Sequence, residues 1–96
     1  MKFTWDSIKV EKVKKDHKID FEKIKDVFED TFSIDLIDES HSTRDEERYI
    51  IIGKITLYGL INLVYTMPND NEIRFITARK AEKWQVKKYE ENLRRT

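Results

Sequence analysis

The sequence predicts an α+β fold: a small, mostly antiparallel sheet with two N-terminal helices and one C-terminal helix, in the order β-α-α-β-β-β-β-α. Apolar residues in the first third recur at helical spacing, which is typical of helices that bury one face. The middle of the chain holds β-branched and aromatic runs separated by turn residues, which indicates hairpin-connected strands. Helical spacing returns near the end, and we expect the helices to pack on one side of the sheet.

The chain begins with a predicted edge strand at 3–5 and a helix at 8–15. Asp6 is a suitable N-cap for this helix because its carboxylate can accept a hydrogen bond from the first turn. The segment 16–18 interrupts the helical pattern, so we expect a break there.

A second helix is predicted over 20–30, again with an aspartate, Asp20, at its N-cap. Four apolar residues at helical spacing form its core face: Phe21, Ile24, Val27 and Phe28. Residues 32–37 alternate between apolar and polar, and this period of two predicts a half-buried strand. The polar segment 38–46 is predicted to be a loop.

Three more strands and a helix complete the predicted fold. Residues 49–52 form a β-branched and aromatic run, which is typical of a central strand buried on both faces. Residues 60–67 and 72–77 form the next two strands, and turn residues precede each of them. The last helix is predicted over 79–93, with these residues facing the core: Ala81, Trp84 or Gln85, and Tyr89.

Length and composition favour one globular domain that covers residues 1–96. Hydrophobic residues make up 39% of the chain and charged residues 40%, and the apolar runs are sufficient for a core. The sequence has no cysteine, no signal peptide and no apolar run of the roughly 20 residues that a membrane span requires. We therefore expect a cytoplasmic protein that does not contact a membrane.

The formal net charge is zero, but the charges are unevenly distributed. Residues 1–25 carry +3, residues 26–47 carry −8 and residues 48–96 carry +5. Such runs are usually solvated faces. The alternative is that the two basic ends form a surface for a polyanion, while the acidic middle shields that surface or meets a partner.

No cofactor and no metal site is predicted. Two histidines without cysteine, and without His-x-x-x-His spacing, are a poor set of metal ligands. The glycines, Gly53 and Gly59, are too far apart for a phosphate-binding loop.

The segment from Arg74 to Arg79 is the strongest candidate for a functional site. We predict a strand that opens directly into the C-terminal helix, with Arg79 at the helix start. Unpaired N–H groups and the helix dipole favour an anion at such a junction, and a guanidinium group matches the geometry of a phosphate.

Four further residues have both a functional and a structural interpretation. His17 is either a general acid or base, or a hydrogen-bonded residue at a helix end. Glu47 and Arg48 form either an ion pair that orients an active-site arginine or a surface ion pair that contributes little energy. Lys9 either reaches a phosphate or is solvated, and His41 in its polar loop is expected to be merely exposed.

Several short blocks, taken in order, resemble the BrnT-type toxins of BrnT/BrnA toxin–antitoxin modules. The blocks are Phe3-x-Trp5-Asp6-x-x-Lys9, His17-x-Ile19-x-Phe21-Glu22, Val27-Phe28-x-Asp30, Glu47-Arg48-Tyr49 with Gly53, and Arg74-x-Ile76-Thr77-Ala78-Arg79-x-Ala81. Together they cover nearly the whole chain, which makes the ordered set more specific than any single block. Val13 and Asp16 stand where the family commonly has Asn and Lys. The family is similar in fold to the RelE-type ribonucleases.

The resemblance implies a toxin that inhibits translation as a metal-independent endoribonuclease acting on RNA. Matching positions give the catalytic candidates His17, Glu47, Arg48, Arg74 and Arg79, with Lys9 as a substrate-binding candidate. Lys80, next to Arg79, is a further substrate-binding candidate. The resemblance also implies a partner, a BrnA-like ribbon-helix-helix antitoxin, in a heterotetramer of two toxins and two antitoxins. DNA would then be contacted only through the antitoxin.

In the implied mechanism, the 2′-OH of RNA attacks the neighbouring phosphate and leaves a 2′,3′-cyclic phosphate and a 5′-OH. His17 or Glu47 is assigned as acid or base, and the arginines stabilise the charge of the phosphorane. The alternative is a catalytically weak or inactive interaction module that serves as a co-repressor with a DNA-binding partner.

Overall fold

The computed structural model describes residues 1–95. Its helices are α1 (Ser7–His17), two 3₁₀ helices (Phe21–Lys23 and Lys25–Glu29) and α2 (Lys83–Arg94). Its strands are β1 (Lys2–Trp5), β2 (Ile34–Ile37), β3 (Arg48–Ile55), β4 (Gly59–Asn69) and β5 (Glu72–Lys80). They form one sheet in the order β1-β5-β4-β3-β2, in which only β1 and β5 are parallel neighbours. The predicted α+β fold with a five-stranded, mostly antiparallel sheet is confirmed.

One face of the sheet, which we call the core face, is covered by α1 and the 3₁₀ helices. Alternate residues of the central strands point toward them, and Leu63 and Phe75 are fully buried there. The ring centroid of Phe75 lies 5.5 Å from that of Phe21 and 5.6 Å from those of Phe3 and Trp5. Burying one such side chain contributes about 1.5–3 kcal/mol, so this aromatic cluster is a major contact between β1, β5 and the first 3₁₀ helix.

The segment 20–30 forms two 3₁₀ helices instead of the predicted amphipathic α-helix. The helical geometry is interrupted at Ile24, whose φ is −119° and whose ψ is 7°. Phe21, Ile24 and Val27 are each fully buried, and their spacing of three matches the three residues per turn of a 3₁₀ helix. A spacing of three is compatible with both helix types, so this sequence pattern alone did not distinguish them.

Gly53 allows β3 to approach the second 3₁₀ helix closely. A Cβ atom at this position would lie 2.6 Å from Cγ2 of Val27, a distance that real side chains do not reach. The backbone of β3 therefore packs directly against this helix, and a larger residue would require one of the two to move.

The second face of the sheet, which we call the open face, is only partly covered, and α2 is the helix that covers it. Asn62 alternates along β4 with the core residues Ile61 and Leu63. Its Nδ2 donates to Oε1 of Gln85 on α2 at 2.9 Å, and both side chains are buried. The expectation that all helices pack on one side of the sheet is therefore wrong.

The C-terminal helix begins later than predicted. Residues 78–80 still pair with residues 61–63 of β4, so Arg79 is a strand residue and does not stand at a helix start. The helix begins at Lys83 after the N-cap Glu82, whose N–H donates to Oε1 of Gln85 at 2.8 Å. With 11 and 12 residues, α1 and α2 are short, and no helix within residues 1–95 is long and apolar enough to cross a membrane.

Two irregularities interrupt the ladder between β4 and β5. Val64 pairs with Thr77 whereas Tyr65 pairs with Phe75, so Ile76 is an extra residue on β5. This is a β-bulge, and it changes which residues of β5 face the open side. A second shift lies on β4 near Pro68, where a residue without an N–H group fits a position outside the regular ladder.

Asp30 joins three elements at the edge of the core. Its Oδ2 accepts hydrogen bonds from the N–H of Lys54 at 2.8 Å and from the hydroxyl of Tyr89 on α2 at 2.7 Å. Its Oδ1 accepts from the N–H of Phe32 at 3.0 Å. Desolvation raises the pKa of Asp30, but these hydrogen bonds outweigh it, and the net pKa lies below the ordinary value. Burial and the hydrogen bond to Asp30 raise the pKa of Tyr89 to about 12.

Because its folded-state pKa is depressed, Asp30 contributes stability that is complete above its unfolded-state pKa and is lost as the pH falls through the folded-state value. We expect the free energy of unfolding to decrease below about pH 4 in the natural protein. Asp30→Asn should flatten this decrease and cost about 1–3 kcal/mol at neutral pH. Urea unfolding at neutral and acid pH measures both the loss of stability at neutral pH and the flattening of the acid decrease. Tyr89→Phe is the partial control, since it removes a single donor. An Asn variant with the natural acid profile would contradict this assignment.

A candidate active site on the open face of the sheet

A cavity of about 460 Å³ lies on the part of the open face that α2 leaves uncovered. Its floor is formed by apolar residues of the central strands, among them Ile50 and Val64. Its rim is formed by the end of α1, the loop after β2 and the start of α2. The strands and the rim supply charged, imidazole and aromatic side chains to this cavity: His17, Asp38, His41, Arg48, Arg79 and Trp84. We call this the open-face cavity.

The sheet register explains why Arg48 and Arg79 share this cavity. Arg48 pairs with Thr66 and Arg79 pairs with Asn62, and these two β4 residues are four apart, so both point to the open face. From strand spacing and rise, the Cα atoms of the arginines are about 16 Å apart. That separation suits an extended polyanion better than a single small anion.

Both arginines already contact a carboxylate. Nε of Arg48 lies 3.0 Å from Oε1 of Glu46, and the side chain of Arg48 is 29% exposed. Nη2 of Arg79 donates to Oε1 of Glu82. The other carboxylate oxygen of Glu82, Oε2, accepts a hydrogen bond from Nε1 of Trp84 at 3.1 Å. Partly exposed pairs of this kind contribute about 0–1 kcal/mol, so a phosphate can displace the carboxylates at little cost.

Arg74 lies in the row of residues next to the cavity and outside its lining. Arg48, Thr66 and Arg74 stand side by side on three neighbouring strands, so the two arginine Cα atoms are about 10 Å apart. Thr66 between them is buried and donates its hydroxyl to the backbone oxygen of Glu47 at 3.1 Å. Arg74 therefore extends the positive row that begins at Arg48.

His17 is the last residue of α1 and is exposed at the rim of the cavity. The helix ends there because Lys18 adopts a left-handed conformation, with φ 59°. A smaller concavity of about 210 Å³ adjoins His17 and is lined by Lys9 and Asp16, among others. Lys9 thus lies on the same side of α1 as His17, and the buried residue Val13, one turn from each of them, also lines this concavity.

Two of the predicted site residues lie elsewhere. Glu47 lines a separate concavity in the loop before β3, together with Arg44 and Glu39, and not the open-face cavity. Partial burial and the carboxylate of Glu47, which accepts a hydrogen bond from Tyr49, raise the pKa of Tyr49. Glu47 does not form the predicted pair with Arg48, whose partner is Glu46. Lys80 is an exposed residue at the end of β5 outside the cavity.

Sequence reasoning missed three side chains of the cavity. Trp84 was expected to face the core as an alternative to Gln85, but Gln85 is buried whereas Trp84 is 47% exposed at the rim. Asp38 and His41 were assigned to a polar loop, and their spacing of three was the signal that could have indicated a contact. Within residues 1–95, no group of three or more His, Cys, Asp or Glu side chains could hold a metal ion.

Together, the fold and the cavity define a small α+β protein that presents arginine and imidazole groups on one open sheet face, which suits a phosphate-rich ligand. A family model described as "Ribonuclease toxin, BrnT, of type II toxin-antitoxin system" matches residues 5–94, and the chain belongs to this BrnT family. The family resemblance predicted from the sequence is therefore confirmed.

The fold is similar to that of a solved relative. The crystal structure of the Brucella abortus ribonuclease toxin BrnT matches with a TM-score of 0.67 and 21% sequence identity. The match covers 86% of this chain and 99% of the Brucella chain. No curated protein matches the chain at a significant level.

Proposed function

We propose that this protein is a metal-independent endoribonuclease that inhibits translation by cleaving RNA in the cytoplasm. The observation that carries the proposal is the shared cavity of His17, Arg48 and Arg79, which come from three separate elements. Membership of a ribonuclease toxin family supports the same reaction class.

The proposed step is attack of a 2′-OH on the adjacent phosphorus. The bond between O2′ and phosphorus forms, the bond between phosphorus and O5′ breaks, and the products are a 2′,3′-cyclic phosphate and a 5′-OH. His17 exchanges a proton with one of these oxygens. Arg79 stabilises the negative charge that builds up on the phosphoryl oxygens, and Arg48, two strands away on β3, binds a neighbouring phosphate of the same RNA strand. Glu47 takes no part, because it lies outside the cavity.

Binding of single-stranded RNA is supported by the surroundings of the cavity. Trp84 offers an exposed aromatic face at the rim, and a base stacked on such a face contributes about 1–3 kcal/mol. Arg74 continues the row of Arg48, and Lys9 lies beside His17, so both are positioned to contact flanking phosphates. RNA bound in this way spans the cavity from the end of α1 to the start of α2.

A second candidate function is an interaction module without catalysis that acts as a co-repressor with a DNA-binding partner. The observation in its favour is that Arg48 and Arg79 each pair with a carboxylate, Glu46 and Glu82. In the ribonuclease proposal, substrate phosphate replaces these carboxylates. In the alternative, the pairs persist and the cavity binds no RNA.

We further propose a partner, a ribbon-helix-helix antitoxin of the BrnA type, in a heterotetramer with two copies of each chain. The family description as part of a type II toxin–antitoxin system supports an antitoxin. Any DNA contact is then made by the antitoxin. Co-purification with the product of the neighbouring reading frame, followed by mass measurement of the complex, tests this composition.

Inducible expression tests the function directly. We expect expression of this chain alone to arrest growth, and co-expression of the neighbouring reading frame to relieve the arrest. Purified protein should cleave single-stranded RNA in the presence of a chelator and leave 2′,3′-cyclic phosphate ends. The Arg79→Ala variant, expressed to the same level, is the control for toxicity caused by expression alone. Intact RNA in the chelator assay, with repression of the promoter by the complex, would favour the co-repressor function instead.

A further inference from the structure

Asp38 and His41 form a dyad at the rim of the open-face cavity. Nδ1 of His41 lies 2.9 Å from Oδ2 of Asp38, and Asp38 is buried, with 8% of its surface exposed. Ser40 donates its hydroxyl to Oδ1 of Asp38 at 3.0 Å, and its oxygen lies 3.1 Å from Nδ1 of His41. Both carboxylate oxygens of Asp38 are thus hydrogen-bonded, and Oδ2 holds the imidazole ring of His41 in one orientation.

This arrangement determines which ring nitrogen is available. A carboxylate can only accept a hydrogen bond, so the proton of neutral His41 lies on Nδ1 and points to Asp38. Nε2 then carries the lone pair. Since 69% of the His41 side chain is exposed, Nε2 can be reached from the cavity that the residue lines. A carboxylate on one nitrogen and an accessible lone pair on the other is the arrangement that a general base requires.

The loop that carries the dyad is held by other contacts. The N–H of Asp38 donates to the oxygen of Arg48 at 2.8 Å, and the N–H of Arg48 donates to the hydroxyl of Ser42 at 2.8 Å. The hydroxyl of Ser42 in turn donates to the oxygen of Asp38 at 2.7 Å. The backbone around Asp38 is therefore fixed to β3 without any contribution from the ring of His41, so a purely structural role does not account for that ring.

We propose that His41 is the general base of the RNA cleavage reaction, that Asp38 is its positioning residue, and that His17 is the general acid. The inference rests on the ribonuclease function proposed above. Nε2 of His41 takes the proton of the 2′-OH as O2′ bonds to phosphorus, and His17 gives a proton to O5′ as that oxygen leaves. The two imidazoles face one cavity from the loop after β2 and from the end of α1. Exchange with water then restores both protonation states.

The first test is His41→Ala. General bases contribute about 10²–10⁴ in rate, so kcat for a defined RNA oligonucleotide should fall by about 10² or more while KM changes little. Added imidazole should restore part of kcat, because the ring of His41 is exposed and leaves an accessible space. Thermal unfolding measured beside the kinetics checks that the variant is folded.

A substrate with sulfur in place of O5′ separates the two roles. A thiolate leaves without receiving a proton, so this substrate should largely suppress the defect of His17→Ala but not that of His41→Ala. Asp38→Asn should lower kcat without raising KM, and its defect should also persist with the sulfur substrate. Glu39→Gln is the matched control, since it removes a neighbouring carboxylate that lies outside the cavity.

The outcomes are distinct for the two proposals. Natural protein that cleaves RNA to cyclic phosphate, together with His41→Ala of unchanged kcat, overturns the role of His41 and leaves the ribonuclease function intact. Suppression of the His41→Ala defect by the sulfur substrate overturns the assignment of His41 as base. Natural protein that leaves RNA intact overturns both proposals at once.

Discussion

Arg79→Ala is expected to lower kcat for RNA cleavage by about 10²–10³, by analogy with the loss of one preorganised donor to a developing oxyanion. Arg79 stands on β5 beside Asn62 and lines the open-face cavity, so its guanidinium faces the position proposed for the phosphorane. In cells, the same change should abolish growth arrest at an expression level where the natural protein is toxic.

The fold should tolerate this change. The side chain of Arg79 is 51% exposed, and its partner Glu82 keeps the hydrogen bond from Trp84. Surface pairs of this type contribute about 0–1 kcal/mol, so the melting temperature should change little.

Two further variants make this result specific. Arg79→Lys keeps the charge but loses the planar fork, so an intermediate kcat is expected. Arg94→Ala removes the same charge from the last turn of α2 and should leave cleavage unchanged, because Arg94 lies outside the cavity. Equal losses in Arg79→Ala and Arg94→Ala would reduce the role of Arg79 to general electrostatic attraction.

Phe75→Ala is expected to destabilise the protein by about 3–5 kcal/mol, the usual cost of removing a fully buried aromatic ring. Phe75 has no exposed surface, and it contacts the rings of Phe3, Trp5, Phe21 and Phe28. A domain of this size has about 5–15 kcal/mol of stability in total, so the variant should be close to unfolding at physiological temperature.

Thermal unfolding followed by circular dichroism measures the effect. One kcal/mol corresponds to about 4–8 °C for a domain of this length, so we expect the melting temperature to fall by about 12–40 °C. Phe32→Ala is the matched control, because Phe32 is only partly buried and lies outside the core cluster. If the two variants lost the same stability, the aromatic cluster would not be the centre of the core.

The parts of the fold that local patterns determine were predictable from the sequence. The caps Asp6 and Asp20 lie where composition indicated, whereas α1 continues to His17, two residues beyond its predicted end, and stops within the predicted break at 16–18. The β-branched and aromatic run that starts at Tyr49 is part of a central strand, as its uniformly apolar character predicted. In each case the signal came from one residue type or one period, and nothing distant in the chain altered it.

The parts that depend on distant contacts were not predictable in the same way. The segment after Asp20 carried an α-helical pattern, but tertiary packing against Gly53 and the sheet selected two 3₁₀ helices. The start of α2 was placed too early because pairing of Arg79 with Asn62 continues β5 beyond its apolar run. Pairing with a residue on another strand cannot be predicted from the local sequence alone.

For the candidate site, residue types were easier to predict than neighbours. His17, Arg48 and Arg79 were named from the sequence, and the structure brings them to one cavity. Glu47 was named with them because it adjoins Arg48, but adjacent positions at the edge of a strand point in different directions. His41 was set aside because its loop looked merely polar, and only the folded loop brings it to Asp38.

The extra residue at Ile76 has a consequence for comparing sequences of this kind. Arg74 and Arg79 are separated by an odd number of positions, which in a regular strand would direct them to opposite sides. The bulge converts that odd count into an even one, so both guanidiniums serve the same surface. The number of residues between the two arginines is therefore as informative as the identities of those residues. A relative that keeps both arginines at this spacing but pairs β4 with β5 without a bulge would present only one of them on this surface.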